Sequence, residues 1–235
     1  MNGILYGIGV GPGDPDLITL KAVKAIKECD VICLPKADKS QCRAYQIALP
    51  AVPALAYKKI ISFDFEMIRE KEDLMTLHQE FYESYKQLLL EGYNLGFLTI
   101  GDPTIYSTFG YIMKLAKRDN IDVEIISGVT AFCGSAAAVQ EIICEGDENV
   151  HIISGDLNLD EELKMPGTKI IMKSGKNLTA IKDKLVSLES QEKISVYAVV
   201  DCGMETEQIY KNAITIPDDS RYMITIIVKD REHLG

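Results

Sequence analysis

The stretch Ile4-Leu5-Tyr6-Gly7-Ile8-Gly9-Val10-Gly11-Pro12-Gly13-Asp14-Pro15 decides the fold. Its apolar part, residues 4–10, predicts a buried strand, and Gly11 to Pro15 predict the turn that stops it, because clustered glycine and proline punctuate regular structure. A helix is expected over 16–29, where Leu17, Leu20, Val23 and Ile26 recur at helical spacing with Lys21, Lys24 and Lys27 on the other side. A second apolar strand, 31–34, is stopped by Pro35. Strand, turn, helix and strand in this order open a parallel sheet covered by helices, so the fold class is α/β.

Outward from there, the pattern predicts a short helix over 42–49 and a strand over 58–62. A long helix over 70–91 follows, with Leu74, Leu77, Phe81, Tyr85 and Leu88 three or four residues apart and Gly92 at its end. Next come a strand at 94–99, a helix at 107–118, a strand at 123–126 and a helix of small residues ending at 139. The remainder is richer in strands, at 150–153, 168–172, 194–200 and 222–228, with one helix at 177–187. The polar run Lys117-Arg118-Asp119-Asn120 reads as the join between halves. Two α/β domains are therefore expected, residues 1–120 and 121–235, with a cleft between them.

Composition excludes several function classes. With 47% hydrophobic and 26% charged residues among 235, the chain has the apolar surface to fold and is not a disordered one. No segment reaches the ~18 uninterrupted apolar residues of a membrane span, and the N-terminal residues lack the basic start of a signal peptide. A cytoplasmic protein with no membrane partner is expected. The net charge, 25 − 35 = −10, argues against a nucleic-acid partner, whose phosphates call for a basic face. The absence of Trp leaves few platforms for stacking bases. The six cysteines form no CxxC pair and no zinc spacing with His78, His151 or His233, so free, mostly buried thiols and no metal are expected.

Three glycine turns, each at a strand end, carry the functional signal. The first fails as a dinucleotide loop: Gly7-x-Gly9 meets Pro12 where the third glycine belongs, and Gly9-x-Gly11 meets Asp14, a carboxylate where a pyrophosphate would sit. No Gly-Lys-Ser/Thr follows, so it is no Walker loop either. The second, Ile100-Gly101-Asp102-Pro103-Thr104-Ile105-Tyr106-Ser107, lies where open α/β sheets bind ligands. There Asp102 suits either an ammonium group or the cap of the next helix. The third, Ser127-Gly128-Val129-Thr130-Ala131, leads into small residues that either leave room for a flat ring or pack a helix closely on the sheet.

Together these motifs carry a resemblance. The run from Gly7 to Ala22, G-x-G-P-G-D-P-x-L-x-T-L-K-A, resembles the opening signature of the S-adenosylmethionine-dependent tetrapyrrole methylases. Gly101-Asp102-Pro103 with Ile105-Tyr106, and Gly128-Val129-Thr130-Ala131, are similar to that family's next two motifs. Met172 and Cys202-Gly203 fall where its later positions lie. Leu34-Pro35-Lys36, Asp64-Phe65-Glu66-Met67 with Arg69-Glu70-Lys71, Asp102 to Phe109, and Glu145-Gly146-Asp147-Glu148 resemble the branch of precorrin-2 and cobalt-factor II C20-methyltransferases. Ser127 departs from the pattern, which has proline there.

The resemblance implies two α/β domains, S-adenosylmethionine as methyl donor with S-adenosylhomocysteine as product, a tetrapyrrole substrate and a homodimer. It implies donor contacts at Pro12, Ile100, Gly101, Asp102, Ile105, Thr130, Ala131, Met172 and Gly203. It places Gly11, Gly13, Asp14 and Tyr106 on the substrate side. The implied substrate carries carboxylates around a planar ring, so an acidic protein needs local cations to admit it. Lys36, Arg43 and Arg69 are the candidates, with Lys173 and Lys176 beside Met172. The acceptor of the proton lost on methylation is left open among Asp14, Tyr106 and water. Two other functions stay open: methylation at another ring position or of a non-tetrapyrrole substrate, and non-catalytic carriage of a tetrapyrrole.

Overall fold

The apolar run of the opening motif becomes β1 (Leu5–Gly9), which lies between β4 (Leu95–Thr99) and β5 (Val123–Ile126), parallel to both. β2 (Val31–Leu34) pairs in parallel with β4 and with β3 (Lys59–Ser62), giving the order β3-β2-β4-β1-β5. The computed structural model describes residues 2–36, 38–63, 71–155, 159–218 and 223–231, without the side chains of 71–73 and 176. Within these, the chain divides into two units, Met1–Thr130 and Ala131–Gly235.

The strands of the first unit read as continuous apolar runs because helices cover both faces. On one face Leu5, Val31, Cys33, Leu95 and Phe97 pack with Phe81, Tyr82 and Tyr85 of α3 (Lys71–Leu90) and with Phe109 and Ile112 of α4 (Phe109–Arg118). The intervening Ile8, Ile32 and Leu98 are buried on the other face, where α1 (Leu20–Glu28) meets β1 and α2 (Arg43–Ala51) meets β4. The chain therefore leaves β1 and β4, which are neighbours, toward opposite faces. Their C-terminal ends form the topological switch point at which such sheets receive ligands.

The expected helix over 16–29 is two pieces. Pro15–Leu17 is a single 3₁₀ turn, and α1 begins only after Thr19, whose hydroxyl accepts the Ala22 N–H at 3.1 Å. Leu20 is 81% exposed and so belongs to no apolar face. His78 of α3 is a packing residue, buried and stacked on Tyr111 with ring centroids 4.6 Å apart. Cys29, Cys33, Cys42 and Cys202 are buried thiols, while Cys133 and Cys144 are exposed. Burial pushes the Cys29 thiol up to about 12, which makes it inert as a nucleophile.

In the second unit β6 (Val150–Ser154) and β7 (Thr168–Met172) are parallel. β10 (Ile224–Asp230) runs antiparallel to β7 and to β8 (Ile194–Val200), and β9 (Gln208–Tyr210) is the antiparallel edge, in the order β6-β7-β10-β8-β9. One face holds Ile171, Val196, Ala198 and Ile226 against Leu178, Ile181 and Leu185 of α7 (Leu178–Ser190). On the other, Ile170, Val199 and Ile227 meet Ala136 and Val139 of α5 (Ala131–Val139). A one-turn helix, α6 (Leu159–Glu162), joins β6 to β7.

The division between units falls at 130/131, so the expected boundary at 120/121 is corrected. The polar run 117–120 is no linker. It ends α4 and turns, with Asn120 at φ +56, straight into β5, which pairs with β1 and so belongs to the first sheet. Among the described residues no helix is long and apolar enough to cross a membrane.

Candidate functional site

All five strands of the first sheet are parallel, so the segments following them share one edge. The turns after β1, β4 and β5 meet there through backbone alone. The Gly101 N–H donates to the Gly11 carbonyl at 2.7 Å and the Gly11 N–H returns to the Gly101 carbonyl at 3.3 Å, a short antiparallel bridge across the switch point. Both glycines hold positive φ, +83° and +68°, which a residue with a side chain adopts only under strain. A Cβ on Gly128 would lie 2.2 Å from the Gly101 carbonyl oxygen, and one on Gly9 would lie 2.7 Å from the Gly128 nitrogen. The three glycine motifs are therefore glycine because three backbones converge.

Asp102 ties this convergence together. Its Oδ1 accepts the Thr104 N–H at 2.8 Å and the Thr104 hydroxyl at 2.5 Å, and its Oδ2 accepts the Gly128 N–H at 3.0 Å. The residue is 7% exposed. Burial pushes its carboxyl up, yet the Thr104, Gly128 and Ser127 donors outweigh burial and hold it below the usual carboxylate range. The Ser127 carbonyl accepts the Thr19 hydroxyl at 3.3 Å, which anchors the same turn to the start of α1.

Around this centre, Gly11, Pro12 and Gly13 are buried, and Ile100, Ile105 and Thr130 are half-buried. Asp14 spends Oδ1 on the Asp16 N–H at 2.8 Å, as the cap of the 3₁₀ turn. Tyr106 is 41% exposed and held at φ +48, an unusual conformation for a bulky side chain. Ser107 lies two residues before α4, its hydroxyl accepting the Phe109 N–H at 3.1 Å and lying 3.0 Å from the Thr99 hydroxyl. Beyond the end of β2 come Lys36, exposed, Lys39, whose Nζ lies 5.8 Å from the Tyr45 ring centre, and Arg43, half-buried at the start of α2. Three cations thus follow β2, with Asp38 among them, on a chain of net charge −10. Arg69 and the Asp64–Met67 motif lie outside the described residues, as does the side chain of Lys176.

The remaining expected positions lie in the second unit. Met172 ends β7, half-buried, its carbonyl accepting the Gly155 N–H at 2.7 Å. Gly203 follows β8, its N–H donating to Glu207 at 2.6 Å, and Ala131 opens α5. β7 and β8 both run against β10, so Met172 and Gly203 share one edge of the second sheet. Lys173 and Asp201, directly beyond the ends of these strands, hold positive φ of +55° and +51°. Glu145, Asp147 and Glu148 line a cavity with Lys229 and Asp230 at the opposite edge of that sheet, away from Met172 and Gly203.

Sequence reasoning missed Gly9, Thr104 and Ser127 as site residues. The Asp102-x-Thr104 spacing is an Asx turn and could have signalled Thr104. Nothing local marks Ser127, which matters only because the turns after β4 and β5 meet. Among the described residues no group of three His, Cys, Asp or Glu could hold a metal ion.

Comparison with known proteins agrees with this architecture. The family model of the Tetrapyrrole (Corrin/Porphyrin) Methylases matches residues 4–216, and the chain belongs to that family. It is 34% identical over 229 residues to the "Probable cobalt-precorrin-2 C(20)-methyltransferase" of Methanocaldococcus jannaschii, covering 96% of this chain and 95% of the relative. It is 30% identical over 195 residues to the "Precorrin-2 C(20)-methyltransferase" of a Sinorhizobium species, covering 79% of each. Among solved structures, the uroporphyrin-III C-methyltransferase of Thermus thermophilus, complexed with S-adenosyl homocysteine, superposes with a TM-score of 0.66 at 18% identity, covering 99% of this chain and 100% of that one. The two α/β units are those of the tetrapyrrole methylase fold.

Proposed function

We propose that this methylase transfers a methyl group from S-adenosylmethionine to C20 of precorrin-2 or of its cobalt form, a step toward cobalamin. The observation that carries the reading is the end-to-end likeness, at 34% identity, to a relative named for C20 of cobalt-precorrin-2, with a second C20 relative beside it. The donor suits the first-unit edge. S-adenosylmethionine has no phosphate and needs no anion nest, and half-buried Ile100, Ile105 and Thr130 offer a largely apolar border to bridged backbone turns. Pro12, Gly101, Ala131, Met172 and Gly203 complete the proposed donor contacts.

When bound, the donor supplies an electrophilic methyl on a sulfonium, already a good leaving group. The work left to the chain is orientation and proximity, which alone can lower a barrier by about 7–11 kcal/mol. Lys36, Arg43 and Arg69 hold substrate carboxylates, while Gly11, Gly13, Asp14 and Tyr106 border the ring. The basic segment after β2 draws an anionic substrate toward an acidic protein. The working protein is a cytoplasmic homodimer.

Anaerobic incubation with S-adenosylmethionine and either precorrin-2 or its cobalt form tests this. Mass spectrometry should show one added methyl with one S-adenosylhomocysteine formed, and carbon NMR should place that methyl on C20. A methyl at another ring carbon, or tetrapyrrole binding without turnover, would overturn the proposal.

A further inference from the structure

We infer that Asp102 is a positioning residue of the donor site: its carboxylate holds the Gly128 turn against Gly101 and Gly9 and does not receive the donor's ammonium group. The inference rests on the reading of S-adenosylmethionine as donor. An ionised carboxylate accepts about four hydrogen bonds. Here Oδ1 takes the Thr104 N–H and hydroxyl at 2.8 and 2.5 Å, and Oδ2 takes the Gly128 N–H at 3.0 Å. The Ser127 hydroxyl further favours the ionised form. Both oxygens are thus engaged by the chain itself, on a residue only 7% exposed. An ammonium group would have to compete with those donors for a buried carboxylate.

The arrangement exceeds a helix cap. The two Thr104 contacts form a local Asx turn, but Gly128 and Ser127 follow β5, on the far side of β1 from Asp102. One side chain therefore spans two strand ends and fixes the backbone two residues before Thr130. Where side chains act by holding a turn, small losses of position cost turnover steeply.

Calorimetry with S-adenosylhomocysteine and with its analogue lacking the amino group separates positioning from ammonium contact. Asp102→Asn places an amide NH₂ against N–H donors, and it should weaken both ligands by the same factor, roughly tenfold to a hundredfold. Ser127→Ala should also weaken both equally, by several-fold, and lower kcat more than it raises KM, while Ser127→Thr should restore both. Loss of S-adenosylhomocysteine affinity with the analogue unaffected in Asp102→Asn would overturn the inference. So would tighter S-adenosylhomocysteine binding in Ser127→Ala, where an acceptor direction has been freed. If Asp102→Asn does not fold, the Ser127 pair decides. Failure of the native protein to bind either ligand is a separate outcome that overturns the donor reading itself.

Discussion

Gly101 and Gly11 exchange backbone hydrogen bonds across the C-terminal ends of β4 and β1, with the shorter, from the Gly101 N–H, at 2.7 Å. The crevice that a doubly wound sheet opens at its switch point is here spanned by main chain. Gly128 packs on the same Gly101 carbonyl. A ligand of this edge therefore rests on bridged backbone rather than in a slot between strands.

That packing leaves no room at Gly128. Its added Cβ would meet backbone at 2.2 Å, which no rotamer can relieve. Gly128→Ala should cost about 1–3 kcal/mol of stability and abolish S-adenosylhomocysteine binding. Gly110→Ala is the control: it lies within α4 with nothing within 4 Å of an added Cβ. It should gain up to about 1 kcal/mol from helix propensity with binding unchanged. Urea unfolding and calorimetry on both variants check this.

Substrate carboxylates should depend on the basic segment after β2. Arg43→Ala should raise KM for the tetrapyrrole about tenfold, because a half-buried guanidinium can grip a carboxylate with two parallel bonds. Lys36→Ala, at an exposed position, should raise it less than about fivefold. Arg69→Ala, outside the described residues, should behave as Arg43→Ala does. Affinity for S-adenosylhomocysteine should stay constant in all three. Steady-state kinetics at two ionic strengths reads both effects, and added salt should narrow the difference between native and variant.

In the second unit, Lys169 has a side chain only 1% exposed and an ion pair to Asp230 at 2.6 Å. Asp230 also accepts the Gly167 N–H at 2.9 Å. Asp230→Ala strands a buried cation and should cost about 3–5 kcal/mol. The double variant Lys169→Met with Asp230→Ala should recover much of that loss, since it leaves no unpaired charge. Denaturant titration of native, single and double variants measures it.

His78 gives a pH dependence of known sign. Burial disfavours its imidazolium, so the folded-state pKa lies below the ordinary value near 6.5. Between those two values the unfolded chain binds more protons, so this contribution is fully present above about pH 6.5 and is lost as pH falls from there. His78→Phe keeps a ring against Tyr111 and removes the titration. Relative to that variant, the native protein should lose stability steadily from pH 7 to pH 5, as read by urea midpoints.

The first sheet was legible because parallel strands buried on both faces leave unbroken apolar runs, as at 4–10, 31–34 and 94–99. β9 was not: Gln208 and Ile209 are both exposed, so no alternation marks the strand. The start of α1 was misplaced because Leu17 and Leu20 keep helical spacing, while the Thr19 cap decides where the helix begins. The boundary was set ten residues early because a polar helix end resembles a linker until its next strand is seen to pair with β1. The three glycine turns could be read individually. Their convergence could not, since it is a tertiary contact, and nothing local to Asp102 signals that its carboxylate accepts the Gly128 N–H from the turn after β5.

The most direct test of C20 methylation follows the hydrogen that the new methyl replaces. With precorrin-2 or its cobalt form deuterated at C20, each S-adenosylhomocysteine formed should be matched by one deuteron lost from the ring, counted by mass spectrometry. S-adenosylhomocysteine formed with the C20 deuteron retained would contradict the assignment and place the methyl elsewhere.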